Sequence, residues 1–106
     1  MLSKSFEQYK FNEFVNKAIV DLKFDNPTKI QERVFSPVLK GKNIMAKSQT
    51  GSGKSHSFLL PIFSKINVEK KKTQSIILAP TRELSRQLYD MAVHIAEFSE
   101  DDIKIT

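Results

Sequence analysis

The sequence contains no cysteine. That excludes disulfides and thiol-bound metal and is compatible with a reducing compartment. It contains no apolar run long enough to span a membrane, which takes roughly 20 residues in a helix. The start, Met1-Leu2-Ser3-Lys4-Ser5, lacks the apolar core of a signal peptide. No internal repeat or low-complexity segment is visible. The expectation is a soluble cytoplasmic protein, and 106 residues suit one domain or part of one. Glycine is also scarce: of only three, two are Gly51 and Gly53.

What is present is basic and moderately apolar. The net charge is +5, the pI is about 9.5 and the apolar content is 40%. A core is affordable, and an anionic partner, nucleic acid or nucleotide, is plausible on charge. Solvated surface lysines are the alternative, and charge alone does not choose. The run Lys70-Lys71-Lys72 reads as a solvated loop.

Asn12 is a fair N-cap for an amphipathic stripe of Phe14, Val15, Ala18, Ile19 and Leu22, which predicts a helix over 12–22. Thr28, with Gln31 three residues on, has the form of a capping box. It predicts a helix over 28–39, disturbed at Pro37 and stopped by Gly41. Ile44 to Ala46 reads as a short strand. Phe58, Leu59, Ile62, Phe63 and Ile66 recur at helical spacing, with Pro61 expected to bend that helix. Gln74 to Ala79 reads as a buried parallel strand. Thr81 then caps a helix with Leu84, Leu88, Met91, Ala92, Ile95 and Phe98 on its buried face, and residues 103–106 begin another strand. Alternating strands and helices predict an α/β fold with a parallel sheet.

Between the strand at 44–46 and the following helix lies Ser48-Gln49-Thr50-Gly51-Ser52-Gly53-Lys54-Ser55. Strand, glycine loop, Lys-Ser, helix is the layout of a phosphate-binding P-loop. A polyphosphate needs several backbone N–H groups aimed at one point, and Gly51 and Gly53 let the chain curl that tightly. The helix N-terminus adds positive potential. Lys54 can reach the β- and γ-phosphates, and the Ser55 hydroxyl can hold Mg²⁺. The strict pattern has glycine where Ser48 stands. The competing reading is a Gly/Ser surface loop that precedes a lysine by chance.

Two other stretches are informative. In Phe24-Asp25-Asn26-Pro27-Thr28-Lys29-Ile30-Gln31, the Gln31 amide presents a donor and an acceptor side by side, which suits adenine and mismatches guanine. Gln31 as a capping partner is the plainer alternative. Pro80-Thr81-Arg82-Glu83-Leu84-Ser85 lies where a strand ends and a helix begins, the edge at which α/β sheets bind ligands. Thr81, Arg82 and the helix N-terminus suit a nucleic-acid phosphate, while Arg82 and Glu83 read equally well as a capping charge pair.

Together these stretches resemble the DEAD-box RNA helicase family from Phe6 to Thr106. Residues 23–31 are similar to its Q motif, with Phe6 as the isolated aromatic 25 positions before Gln31. Residues 48–55 are similar to motif I, and 80–85 to motif Ia. Lys23 stands where the family has glycine, and Ser48, Ser55 and Ser85 replace alanine, threonine and alanine. The lysine-rich composition and short N-terminus look more like a bacterial member.

The resemblance implies a P-loop NTPase with a RecA-like parallel sheet flanked by helices, present as an incomplete N-terminal portion. It implies ATP and Mg²⁺ as cofactors, and it assigns the nucleotide to Phe6, Phe24, Thr28, Gln31, Gln49, Thr50, Gly51, Ser52, Gly53, Lys54 and Ser55. Lys54 and Ser55 are the catalytic pair and Ser55 is the metal ligand. Pro80, Thr81 and Arg82 would touch the RNA sugar–phosphate backbone. His56 and His94 match no ligand position: His56 is expected to pack or face solvent, His94 to lie on a helix surface. A P-loop ATPase also needs an acidic residue at the end of another apolar strand, and none of the stretches read as strands here ends in Asp or Glu. The resemblance therefore also implies further strands and a second RecA-like domain later in a parent chain, as a partner beside RNA. The rival is a non-enzymatic P-loop module that binds ATP or GTP only as a switch.

Overall fold

The computed structural model describes residues 1–106 except Thr50 and Ser52. Its regular elements are helices: α1 (Lys4–Glu7), α2 (Glu13–Asp21), α3 (Lys29–Leu39), α4 (Lys54–Ser64) and α5 (Arg82–Ala96). α2, α3, α4 and α5 fall where apolar periodicity places them. α1 is a single turn without such a signal.

The termini of α3 follow local chemistry. Thr28 N–H donates to Gln31 Oε1 at 3.0 Å and Gln31 N–H to Thr28 Oγ1 at 3.3 Å, a complete capping box. At the other end Gly41 has φ +76. Its N–H donates to Val38 O and that of Lys42 to Pro37 O, the paired bonds of a left-handed helix stop. α3 and α4 run through Pro37 and Pro61. Asn12 sits at the N-cap of α2, but its side chain makes no cap bond. Its Nδ2 instead donates to Ser64 O at 2.8 Å and its N–H to Ser64 Oγ at 2.9 Å, tying α2 to the end of α4.

α3 and α4 start side by side, Gln31 against Gly53, and end side by side, with Lys65 Nζ reaching Val38 O at 3.5 Å. The core lies around them. Phe35 of α3 receives Tyr9 and Phe11 edge-on at 4.9 and 5.1 Å, and Phe6 at 6.3 Å. Val15 and Ile19 of α2, Leu59 and Leu60 of α4, and Ile95 of α5 complete it, all fully buried. His94 Nε2 meets Asp21 Oδ2 at 2.7 Å and joins α5 to α2.

The expected parallel sheet is not formed: no strand occurs among the described residues. Residues 44–46, 74–79 and 103–106 lack regular secondary structure; Met45, Ile76 and Leu78 face solvent at 101%, 79% and 89% exposure, while Ala79, Ile103 and Ile105 pack partly buried against the core. The physical reason is that a strand exists only with a partner. Its N–H and C=O groups need a ladder, and parallel strands need cover on both faces. An open cavity of about 1510 Å³ lies beside these segments, lined by Ile62, Phe63, Ile66, Ile77, Ala79 and Leu88 among others. Gln74, expected to open a strand, instead closes the lysine loop. Its Nε2 donates to Asn67 O at 2.8 Å and its Oε1 accepts from Asn67 N–H at 2.9 Å, with Lys70, Lys71 and Lys72 exposed.

Lys23, at the position where the family has glycine, has φ +61. A left-handed residue carrying a Cβ costs about 1–2 kcal/mol, while glycine loses about 0.5–1 kcal/mol more on ordering. Lys23→Gly is therefore expected to stabilise the fold by about 0.5–1 kcal/mol, read as a higher urea midpoint. A lower midpoint would show that the lysine side chain itself holds this turn.

Candidate nucleotide site

The site is built where the N-termini of α3 and α4 meet. Gly53 is the N-cap of α4 in a left-handed conformation, φ +80. A Cβ there would stand 2.6 Å from Gln31 Nε2 and 3.3 Å from Thr28 Cγ2, so both backbone geometry and the neighbouring side chains demand glycine. Gly51 has φ +84 with nothing within 4 Å of such a Cβ, so its requirement is conformational alone. Lys54 is the first residue of α4 and is exposed, Ser55 is half-buried, and the first turn has no acidic side chain. Ser57 Oγ donates to the Lys54 carbonyl. A lysine at an uncompensated helix N-terminus is an electropositive point. Gln49 is exposed. The expectations for Thr50 and Ser52 lie outside the described residues.

Gln31 links the two sequence-distant stretches. Its Nε2 donates to Gly53 O at 3.2 Å while its Oε1 accepts from Thr28 N–H. These neighbours fix which end of the amide is which, because the donor N–H must face oxygen and the carbonyl must face nitrogen. The side chain is 1% exposed. Each of its two atoms retains one further hydrogen-bonding position. The capping-partner reading of Gln31 thus describes real geometry. The bond to Gly53 was missed by sequence reasoning, since it spans 22 positions and carries no local signal.

Phe24 is half-buried, and its ring meets His56 edge-on, centroids 5.2 Å apart and planes at 86°. His56 is buried at 7% exposure, so of its two expected placements packing is the one found. Burial first, and the nearby His94 second, push the His56 pKa down, which keeps the ring neutral at pH 7. Phe6 is fully buried against Phe35 and offers no open face to a ligand.

Pro80, Thr81 and Arg82 form a second exposed group. Thr81 Oγ1 accepts from Leu84 N–H at 3.1 Å, capping α5 as expected. Its own hydroxyl hydrogen remains available to an acceptor. Arg82 opens α5 with its side chain in solvent, and Arg82 and Glu83 form no ion pair among the described residues.

The chain has counterparts among known proteins. The family model described as DEAD/DEAH box helicase matches residues 28–106. The DEAD-box ATP-dependent RNA helicase CshB of Staphylococcus aureus is 47% identical over 98 residues, which are 92% of this chain and 22% of that protein. CshB of Bacillus cereus is 42% identical over 106 residues, 100% of this chain and 24% of that one. Among solved structures, S. cerevisiae Dbp5 bound to RNA and ADP BeF3 superposes with a TM-score of 0.85 at 36% identity, over 92% of this chain and 25% of that one. A DEAD box protein from Methanococcus jannaschii gives 0.84 at 33% identity, over 94% and 27%. The chain spans about a quarter of the length of the curated relatives it matches. With the family model covering most of the sequence and relatives this similar along nearly all of it, the chain belongs to the DEAD/DEAH box helicase family.

Proposed function

We propose that residues 1–106 are the N-terminal part of the first of two RecA-like domains in an ATP-dependent RNA helicase. In this reading residues 23–31 are the Q motif, 48–55 motif I and 80–85 motif Ia. The observation that carries it is the hydrogen bond from Gln31 to Gly53. It sets a base-reading amide on the shoulder of a phosphate-binding helix N-terminus. Support comes from relatives named ATP-dependent RNA helicases and from a structural neighbour described as bound to RNA and ADP BeF3. In the full-length protein, residues 44–46, 74–79 and 103–106 are strands of a parallel sheet. Their exposed apolar side chains are the faces and edges that the sheet would cover.

Each residue has a proposed role, and Gln31, 1% exposed in this structure, must be uncovered to fill its own. Lys54 and the amides of residues 50–55, with Gln49 beside them, hold the β- and γ-phosphates. The left-handed turns at Gly51 and Gly53 and the absence of acidic side chains in the first turn of α4 suit such an anion. Ser55 would hold Mg²⁺, which when bound neutralises phosphate charge. Among the described residues no cluster of three His, Cys, Asp or Glu offers a cage of its own, as fits a metal shared with phosphates. Thr28 fixes Gln31, whose remaining donor and acceptor positions read adenine N7 and N6. Phe24 packs on the base. Pro80, Thr81 and Arg82 meet the RNA backbone, where Arg82 contributes charge without base readout. The protein works in the cytoplasm. Among the described residues no helix is long and apolar enough to cross a membrane.

The test is adenine selectivity. A bidentate amide–adenine pair is worth roughly 1–3 kcal/mol of discrimination. Gln31→Ala in the full-length protein should weaken ATP binding about tenfold to a hundredfold and blur the preference for ATP over GTP. Gln31→Glu separates the two duties of this side chain, since it keeps the acceptor for Thr28 N–H and loses the donor. It should retain the helix cap and still lose selectivity. Competition binding with both nucleotides reads the result. Unchanged selectivity in both variants would leave Gln31 as a cap and strut only.

A further inference from the structure

We propose that His56 is a positioning residue that sets the Phe24 ring, and through it the affinity of the site for the base end of its nucleotide. The inference rests on the nucleotide-site reading above. His56 is the third residue of α4, two positions after Lys54, and it points inward where Lys54 points to solvent. Its ring stands edge-on to Phe24 at 5.2 Å, and Phe24 has no other close ring partner among the described residues. Phe24 is half-buried, so it can rest on His56 and still present surface outward.

The backbone leaves the ring in need of such support. Phe24 follows the left-handed turn at Lys23, and its N–H makes one bond, to Ile19 O at 3.3 Å. Beyond it Asp25 and Asn26 are exposed, Asn26 Oδ1 accepts from Ser5 Oγ at 2.9 Å, Pro27 is buried, and the next helix starts at the capping box of Thr28. The turn leaves the height of the ring above α4 to what the ring packs on. His56 is the rigid planar group at that place, and its helix also begins the phosphate-binding turn. The distance between the base end and the phosphate end of the site is thereby set within one element. His94 of α5 acts electrostatically on His56 and is itself held by Asp21 of α2.

An edge-to-face ring contact of this kind corresponds to about a threefold to tenfold change in affinity. The test uses the full-length protein and two probes, ADP and inorganic tripolyphosphate, each competing against a fluorescent nucleotide. His56→Leu keeps bulk and removes the aromatic edge. It should weaken ADP about threefold to tenfold and leave tripolyphosphate unchanged, because that probe has no base. It should also raise KM for ATP by the same factor with little effect on kcat. His56→Phe restores an aromatic edge and should recover most of the ADP affinity. Equal loss for both probes would overturn the proposal, since His56 would then support the phosphate turn as a whole. Unchanged ADP affinity in His56→Leu, with the fold intact by melting, would also overturn it. Wild-type protein that binds tripolyphosphate no less tightly than ADP would overturn the base-site reading beneath it as well.

Discussion

Lys54→Ala in the full-length protein is expected to remove ATP turnover while leaving the fold in place. The lysine opens α4 in solvent, and no described residue forms a salt bridge with it. Its removal therefore costs the folded state little. The same exposure at the positive end of a helix puts the ammonium where the β- and γ-phosphates are proposed to lie. The backbone amides remain in the variant, so some nucleotide binding should survive. What is lost is a charge that strengthens its hold as negative charge moves during phosphoryl transfer. Losing one such preorganised donor costs on the order of 10²–10³ in rate. Phosphate release at saturating ATP, beside a thermal melt, gives the result. Near-normal turnover would remove Lys54 from the site.

The 106 residues alone are expected to turn over no ATP, with or without RNA. The proposed phosphate contacts are local to residues 48–55, but hydrolysis needs an acidic strand end for the metal and water and added positive charge from arginine fingers. A trans-acting arginine finger alone is worth on the order of 10³–10⁵ in rate. None of the stretches read as strands ends in Asp or Glu. Exposed Met45, Ile76 and Leu78, outside regular secondary structure, also predict association of the isolated piece, since exposed apolar faces find each other. Turnover by the purified 106-residue chain near the rate of the full-length protein would show that these parts are dispensable.

The helices were legible because their causes are local. Thr28 with Gln31, Gly41 and Thr81 are termini written in two or three residues, and each forms as its chemistry dictates. The stripe of α5 is likewise read correctly, with Leu88, Ala92 and Ile95 buried. The strands were legible only as extended apolar stretches. Whether Ile44 to Ala46 pairs depends on other strands, and a sequence pattern cannot supply a partner. Within the site, the Gly51 and Gly53 turns followed from residue type, while three tertiary facts did not. Gln31 bonds Gly53 across 22 positions. His56 turns inward onto Phe24. Phe6 packs in the core. Lys23 lies between these cases: its departure from the family's glycine is visible in sequence, and its left-handed backbone explains why glycine belongs there.

The most direct test of the account is ATP turnover by the full-length protein as RNA is titrated in, with GTP run in parallel. An adenine-reading amide on a P-loop, coupled to an RNA-facing helix start at Thr81 and Arg82, predicts hydrolysis of ATP that rises with RNA to a plateau and little hydrolysis of GTP. Nucleotide binding with no turnover at any RNA concentration, or turnover indifferent to both RNA and base, would contradict it and favour a P-loop switch.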